Sequence, residues 1–175
     1  MGLGRIGTDV ARVGIATGMQ VIAWSENLTQ DRCDEVGARL VTKDELLAQS
    51  DFLTIHLLLS DRTRGLIQAA DLAKMKPGAY IVNTSRGPIV DEAALIDTLR
   101  NNRIAGAGLD VFDVEPLPLD HPLRDMPNMV IMPHLGYVTV ENYRNWYGGT
   151  AENIRSWLDG KVINQMAGRN PTVPG

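Results

Sequence analysis

Met1-Gly2-Leu3-Gly4-Arg5-Ile6-Gly7 opens the chain. A Gly-x-Gly-x-x-Gly of this kind sits at the turn between a buried β-strand and a helix whose N-terminus holds a dinucleotide pyrophosphate. Turn and helix are present here, whereas the strand that should feed them is not. The stretch therefore reads as a nucleotide-binding core entered in its middle, with Gly2, Gly4 and Gly7 beside the cofactor. Alone the motif is weak, and the residues downstream of it give it weight.

Outward from the turn, residues 5–17 read as a helix with Ile6, Val10, Val13 and Ala16 near one face, stopped by Gly18. Apolar strands are expected at 19–24, 39–41, 52–57, 79–83, 105–111 and 129–132. Between them lie helices at 30–36, 43–50, 71–75 and 92–101, and a long helix covers 140–158. Thr42-Lys43-Asp44-Glu45 has the pattern of a capping box, and Asp91 caps the helix after it. Strands that are nearly all apolar and separated by helices indicate a parallel sheet covered on both faces. The expected fold is α/β, a doubly wound Rossmann-type domain over residues 1–164 lacking its first strand, with a loose tail at 165–175.

In the usual strand order the first strand lies at the sheet centre. Its absence would leave two neighbours with unpaired edges, which invite aggregation or exchange. The sequence thus reads as a fragment of a longer chain, the other reading being that the tail or a partner fills the slot.

Composition narrows the function. A net charge of −4 over 175 residues argues against a general nucleic-acid binder. Cys33 is the one cysteine, so no internal disulfide forms, and no Cys/His cluster has metal-ligand spacing. No signal peptide or membrane-length apolar run is present, which fits a cytoplasmic setting.

Ligands of an open parallel sheet gather at the carboxyl ends of its strands. Ser25 follows the second strand, where an acid commonly holds the ribose. Asn83-Thr84-Ser85-Arg86-Gly87 follows the strand at 79–83, Asp110 and Glu115 follow that at 105–111, and His134 follows that at 129–132. Hydride transfer to a keto acid needs such a set. Arg86 offers a bidentate fork for the substrate carboxylate. An imidazole can give or take a proton near neutral pH, which makes His134 the candidate for handling the alkoxide proton. Glu115 can orient the imidazole and favour its protonated form. Asp110 is a candidate acceptor for the nicotinamide carboxamide. His56 and His121 read as structural, and singly each of the other residues also has a structural reading.

Together, Gly2-Leu3-Gly4-Arg5-Ile6-Gly7, residues 83–92 (Asn-Thr-Ser-Arg-Gly-Pro-Ile-Val-Asp-Glu), Gly108-Leu109-Asp110-Val111-Phe112, Glu115-Pro116 and Pro133-His134-Leu135-Gly136 resemble the D-isomer-specific 2-hydroxyacid dehydrogenases. The resemblance implies Arg86, Glu115 and His134 as the catalytic trio. It places Arg5, Ile6, Ser25, Thr84, Arg86, Asp110, His134 and Gly136 in the cofactor shell. It further implies a small 2-keto or 2-hydroxy acid as substrate, a homodimer, and a separate substrate-binding domain outside this chain. Ser25 replaces the acid common in NAD-preferring members, which would permit NADP; Glu26 beside it and the lack of a clear phosphate clamp around Arg32 lean to NAD. Two readings stay beside the enzyme: a dinucleotide-sensing module without catalysis, as in corepressors of this family, and an inactive fragment.

Overall fold

The computed structural model describes residues 1–165. It forms two compact units, Met1–Gly136 and a second beginning at Tyr137.

The first unit starts with α1 (Arg5–Ala16), whose buried residues are Gly7, Thr8 and Ala11. Ile6, Val10 and Val13, the apolar stripe that marks this helix in the sequence, lie on its outer side, with Ile6 62% and Val13 65% exposed. Close approach explains the inversion. A Cβ on Gly7 would stand 2.0 Å from the Gly2 carbonyl oxygen, and one on Gly14 would stand 3.2 Å from the Val21 side chain. Only small residues fit where helix and chain run this near each other.

Strand β1 is confined to Ile22–Ala23 rather than 19–24. The helix end consumes the missing part: Gly18 takes a positive φ of 86°, and the Gly18 and Met19 amides donate to the carbonyls of Ile15 and Gly14, both at 2.9 Å. That is a Schellman closure, so Met19 belongs to the cap. Then come α2 (Gln30–Asp34), β2 (Arg39–Leu40) and α3 (Lys43–Gln49). The expected capping box forms, with Thr42 and Glu45 satisfying each other's backbone amides. After β3 (Phe52–Ile55), α4 spans Ala69–Leu72 rather than 71–75. Its start is set by Asp71, whose carboxylate accepts from the Gln68 amide at 3.0 Å. The unit continues with β4 (Tyr80–Asn83), α5 (Glu92–Arg100) capped by Asp91, β5 (Gly106–Leu109) and β6 (Met129–Ile131).

The sheet expected as one is divided into two parallel sheets, β1-β2 and β3-β4-β5-β6. Between them lie the first residues of the chain. The Met1 amine donates to Thr54 O at 2.7 Å, the His56 amide to Met1 O and the Gly2 amide to Trp24 O, each at 2.9 Å. Met1 and Gly2 thus occupy the carboxyl end of the central position and bond to both neighbours. Burial there pushes the Met1 amine down to about 5.

The main core gathers Leu46 and Leu47 of α3, Leu72 of α4 and Leu95 and Leu99 of α5 with Leu53, Ile55, Ile81 and Leu109 of the sheet. A smaller cluster joins Leu3, Ala11, Ala23, Cys33, Val36 and Ala38 under the β1-β2 sheet. Coverage of both faces is incomplete: Phe52, Tyr80 and Val130 are 60, 43 and 65% exposed, the first two with rings stacked at 5.5 Å. In the second unit, α6 (Val140–Leu158) carries the tilted ring pair Tyr143–Tyr147 and has no buried residue. The tail reading for 165–175 lies, beyond Gln165, outside the described residues.

Candidate active site

The segments after β1, β4, β5 and β6 leave carboxyl ends of parallel strands, and the bonds of Gly2 to Trp24 and of His56 to Met1 set the glycine turn beside the ends of β1 and β3. The carboxyl edge begins at the glycine turn. Gly2 has φ of 85°, and a Cβ there would meet the His56 carbonyl at 2.7 Å. Gly4 differs: a Cβ on it meets nothing within 4 Å. No side chain caps α1 and no acid lies in its first turn, while Thr29, Thr42, Asp91 and Thr139 cap α2, α3, α5 and α6. An uncapped helix N-terminus beside open backbone suits a phosphate. Arg5 and Ile6 stand exposed on this first turn, and Ser25 is half-buried after β1. His56 flanks the turn with its Nε2 2.9 Å from Thr54 Oγ1. Burial, helped by the charge of the Met1 amine, keeps its imidazole below the ordinary value.

The turn after β4 is organised by Asn83, which is buried. Its amide donates to Arg86 O at 2.9 Å and its oxygen accepts from the Ser85 amide at 3.0 Å. Ser85 Oγ donates to Leu57 O. Thr84 and Arg86 are thereby left exposed on a turn fixed from below. Gly87 then presses on the next loop, since a Cβ there would lie 2.1 Å from the Phe112 carbonyl carbon.

His134 and Glu115 meet, with Nδ1 to Oε2 at 2.6 Å and both side chains about one-third exposed. The other Glu115 oxygen accepts from the Phe112 amide at 3.0 Å. Burial pulls the Glu115 carboxyl upward, but the bonds from His134 and Phe112 and the charges of His134 and Arg86 outweigh it, holding the group below its ordinary value. The Arg86 charge thus acts on Glu115.

Asp110 is buried and grips the loop that bears the histidine. Its oxygens accept from the Leu135 amide at 2.7 Å and the Gly136 amide at 2.8 Å. That grip accompanies a φ of 56° at His134, a conformation that costs a non-glycine residue about 1–3 kcal/mol. A Cβ on Gly136 would lie 2.9 Å from the same carboxylate, which explains glycine there. A carboxylate has about four acceptor sites, so this role leaves capacity for another donor.

Arg86, Glu115, His134, Asp110 and Gly136 thus gather at the β4–β6 side of the edge, and Gly2, Gly4, Arg5, Ile6, Gly7 and Ser25 at the glycine-turn side. Sequence reading misses Asn83 and Ser85 as organisers of the arginine turn. It also misses Glu92 and His121 as a pair, which meet at 3.1 Å. A polar side chain directly after an apolar strand is the one signal that points to Asn83.

Among the described residues no helix is long and apolar enough to cross a membrane. The family model described as "D-isomer specific 2-hydroxyacid dehydrogenase, NAD binding domain" matches residues 1–136, the extent of the first compact unit. The chain is 44% identical over 160 residues to a D-3-phosphoglycerate dehydrogenase of Synechocystis sp., covering 91% of this chain and 29% of that protein. It is 43% identical over 169 residues to a glyoxylate reductase of Aeropyrum pernix, covering 97% and 50%. The crystal structure of a phosphoglycerate oxidoreductase from Vibrio cholerae superposes with a TM-score of 0.85 at 36% identity, covering 91% of this chain and 51% of that one. The chain spans half the length, or less, of these curated relatives. Residues 1–136 account for the family match, and the chain belongs to the D-isomer specific 2-hydroxyacid dehydrogenase family through its NAD binding domain.

Proposed function

We propose that this chain is the cofactor-binding part of an NAD-dependent oxidoreductase that interconverts a small 2-keto acid and its D-2-hydroxy acid. The observation that carries the reading is the His134–Glu115 pair at 2.6 Å with the Arg86 charge acting on Glu115. A bound nicotinamide cofactor supplies the hydride. The residues of this chain do the rest. The α1 N-terminus and the open side of Gly4 receive the pyrophosphate, and Ser25 faces the ribose. Arg86 holds the substrate carboxylate and polarises the carbonyl. Glu115 fixes the ring through Nδ1, so that Nε2 delivers the proton to the oxygen as hydride arrives, and recovers it in reverse.

NAD is favoured over NADP. Arg32, the nearest cation after Ser25, is bonded to Glu35 and to Thr8, at 3.3 Å for the latter. A guanidinium so engaged is a poor clamp for a 2′-phosphate. The protein acts in the cytoplasm as a homodimer, a reading supported by the resemblance of its motifs to the family.

The test is His134→Ala in the protein joined to its substrate-binding region. Turnover on a keto-acid panel falls about 10²–10⁴-fold, while NADH, bound more tightly than NADPH, keeps its affinity. Equal loss of turnover and NADH binding would overturn the acid–base role. NADH binding with no turnover by the unsubstituted protein would favour a dinucleotide-sensing module.

A further inference from the structure

We propose that Glu92 and His121 form a positioning clamp that holds Glu115 against His134. The inference rests on the reading of Glu115 and His134 as the acid–base pair and adds how that pair is kept in register.

Glu115 sits on an irregular segment between β5 and the 3-10 turn at Pro122–Asp125. Its own bond to the Phe112 amide is local and does not tie the segment to the body of the unit. Glu92, the first residue of α5, does. One of its oxygens accepts from the Asp113 amide at 3.3 Å and the other faces His121 Nε2 at 3.1 Å. A single carboxylate therefore holds both ends of the stretch that carries Glu115. The tautomer is set by geometry. His121 Nδ1 accepts from the Leu123 amide at 3.4 Å, so the ring proton is on Nε2 and points at Glu92. Both side chains are largely buried, at 16% and 19% exposure, where such charge-assisted bonds are stronger than in water.

A second anchoring is provided inside the segment. Arg124 donates to the carbonyls of Pro118 and Leu117 at 2.7 and 2.6 Å. Gly87, in contact with Phe112, brings the Arg86 turn onto the same stretch. Glu92 thus stands where the arginine turn leads into α5 and reaches across to the loop of the acid–base pair. It couples the placement of Arg86 to that of the carboxylate behind the histidine. Neither Glu92 nor His121 touches reacting atoms.

The experiment uses the protein joined to its substrate-binding region and two substitutions. His121→Asn keeps an acceptor for the Leu123 amide and removes the donor to Glu92. Glu92→Gln keeps the shape and leaves one acceptor for two donors. Carboxyl ¹³C titration reads the Glu115 midpoint, the ¹H–¹⁵N spectrum reads the His134 Nδ1 proton, and thermal midpoints check the fold. Expected are an upward move of the Glu115 midpoint toward the ordinary carboxylate value in each variant, broadening of the Nδ1 proton, and less than additive effects in the double variant. A lower thermal midpoint with an unmoved Glu115 titration in both variants would show a merely structural pair and overturn the proposal. Because the readout is the geometry of the pair, it stands or falls independently of whether His134→Ala abolishes turnover.

Discussion

The two sides of the candidate site are built by opposite means. At the glycine turn, geometry is enforced by side chains that are missing: Gly7 lies against the Gly2 carbonyl and Gly4 faces open space. At the histidine loop, geometry is enforced by carboxylates that grip backbone amides, Asp110 on residues 135 and 136 and Glu115 on residue 112. The first device admits no substitution where backbone meets backbone. The second is adjustable, because each bond can be weakened separately.

Gly7→Ala should do the most damage. A Cβ 2.0 Å from a backbone oxygen cannot be relieved by a side-chain rotation, so the loss should exceed the ~1–3 kcal/mol usual for overpacking. Gly4→Ala is its counterpart: stability should change by no more than about 0.5 kcal/mol, while NADH affinity drops because the methyl group occupies the phosphate approach. Urea denaturation and fluorescence titration of both variants check this. Similar destabilisation by the two would erase the distinction between a packing glycine and a ligand-approach glycine.

The same contrast explains what is legible in the sequence. A glycine pattern can be read because spacing alone records the close approach. The Thr42–Glu45 capping box and the Asp91 cap are legible for a similar reason, since each acts on a backbone amide only three residues away. The Arg86, Glu115 and His134 positions emerge from strand ends and family resemblance. Asp110 reads in the sequence as a ligand for the cofactor, yet its carboxylate closes on amides 25 and 26 residues distant, a separation no local pattern records. The Glu92–His121 pair, 29 residues apart, is invisible for the same reason. The direction of α1 is also hidden. A stripe of Ile and Val marks a helix in any sequence, but the turn demands small residues at the contact and sends that stripe outward.

pH should separate the two sides. At the glycine turn, burial lowers the His56 imidazole from its ordinary 6.5. Below that pH the unfolded chain holds a proton that the folded chain resists, so stability falls as pH drops through 6.5. Glu115 is held below its ordinary 4.5, so its stabilisation is complete above that pH and disappears as pH falls further. Urea midpoints between pH 3 and 9 should show two acid losses: the upper from the glycine-turn side and the lower, shared with other carboxylates, including the histidine loop. A flat profile between 7 and 5 would contradict the first assignment.

A smaller loss than that of Gly7→Ala is expected from Asp110→Asn. Asparagine offers one acceptor where the carboxylate offered two, leaving one of the Leu135 and Gly136 amides unsatisfied at a cost of about 1–2 kcal/mol. His134 should then relax from its positive φ, which the chemical shifts of residues 134–136 would report. Retention of the wild-type shifts would mean that Asp110 does not hold the loop.

The two sheets differ in how firmly they are built. The β1-β2 sheet has only two residues in each strand and a small cluster of its own, with Ile22, Trp24 and Val41 packed against the main core. Free energies of local opening track such differences in burial and bonding. The amides of β1 and β2 should therefore exchange with solvent through excursions that leave β3 to β6 intact. Nucleotide bound at the turn would slow that exchange and so act as a fastener for the smaller sheet.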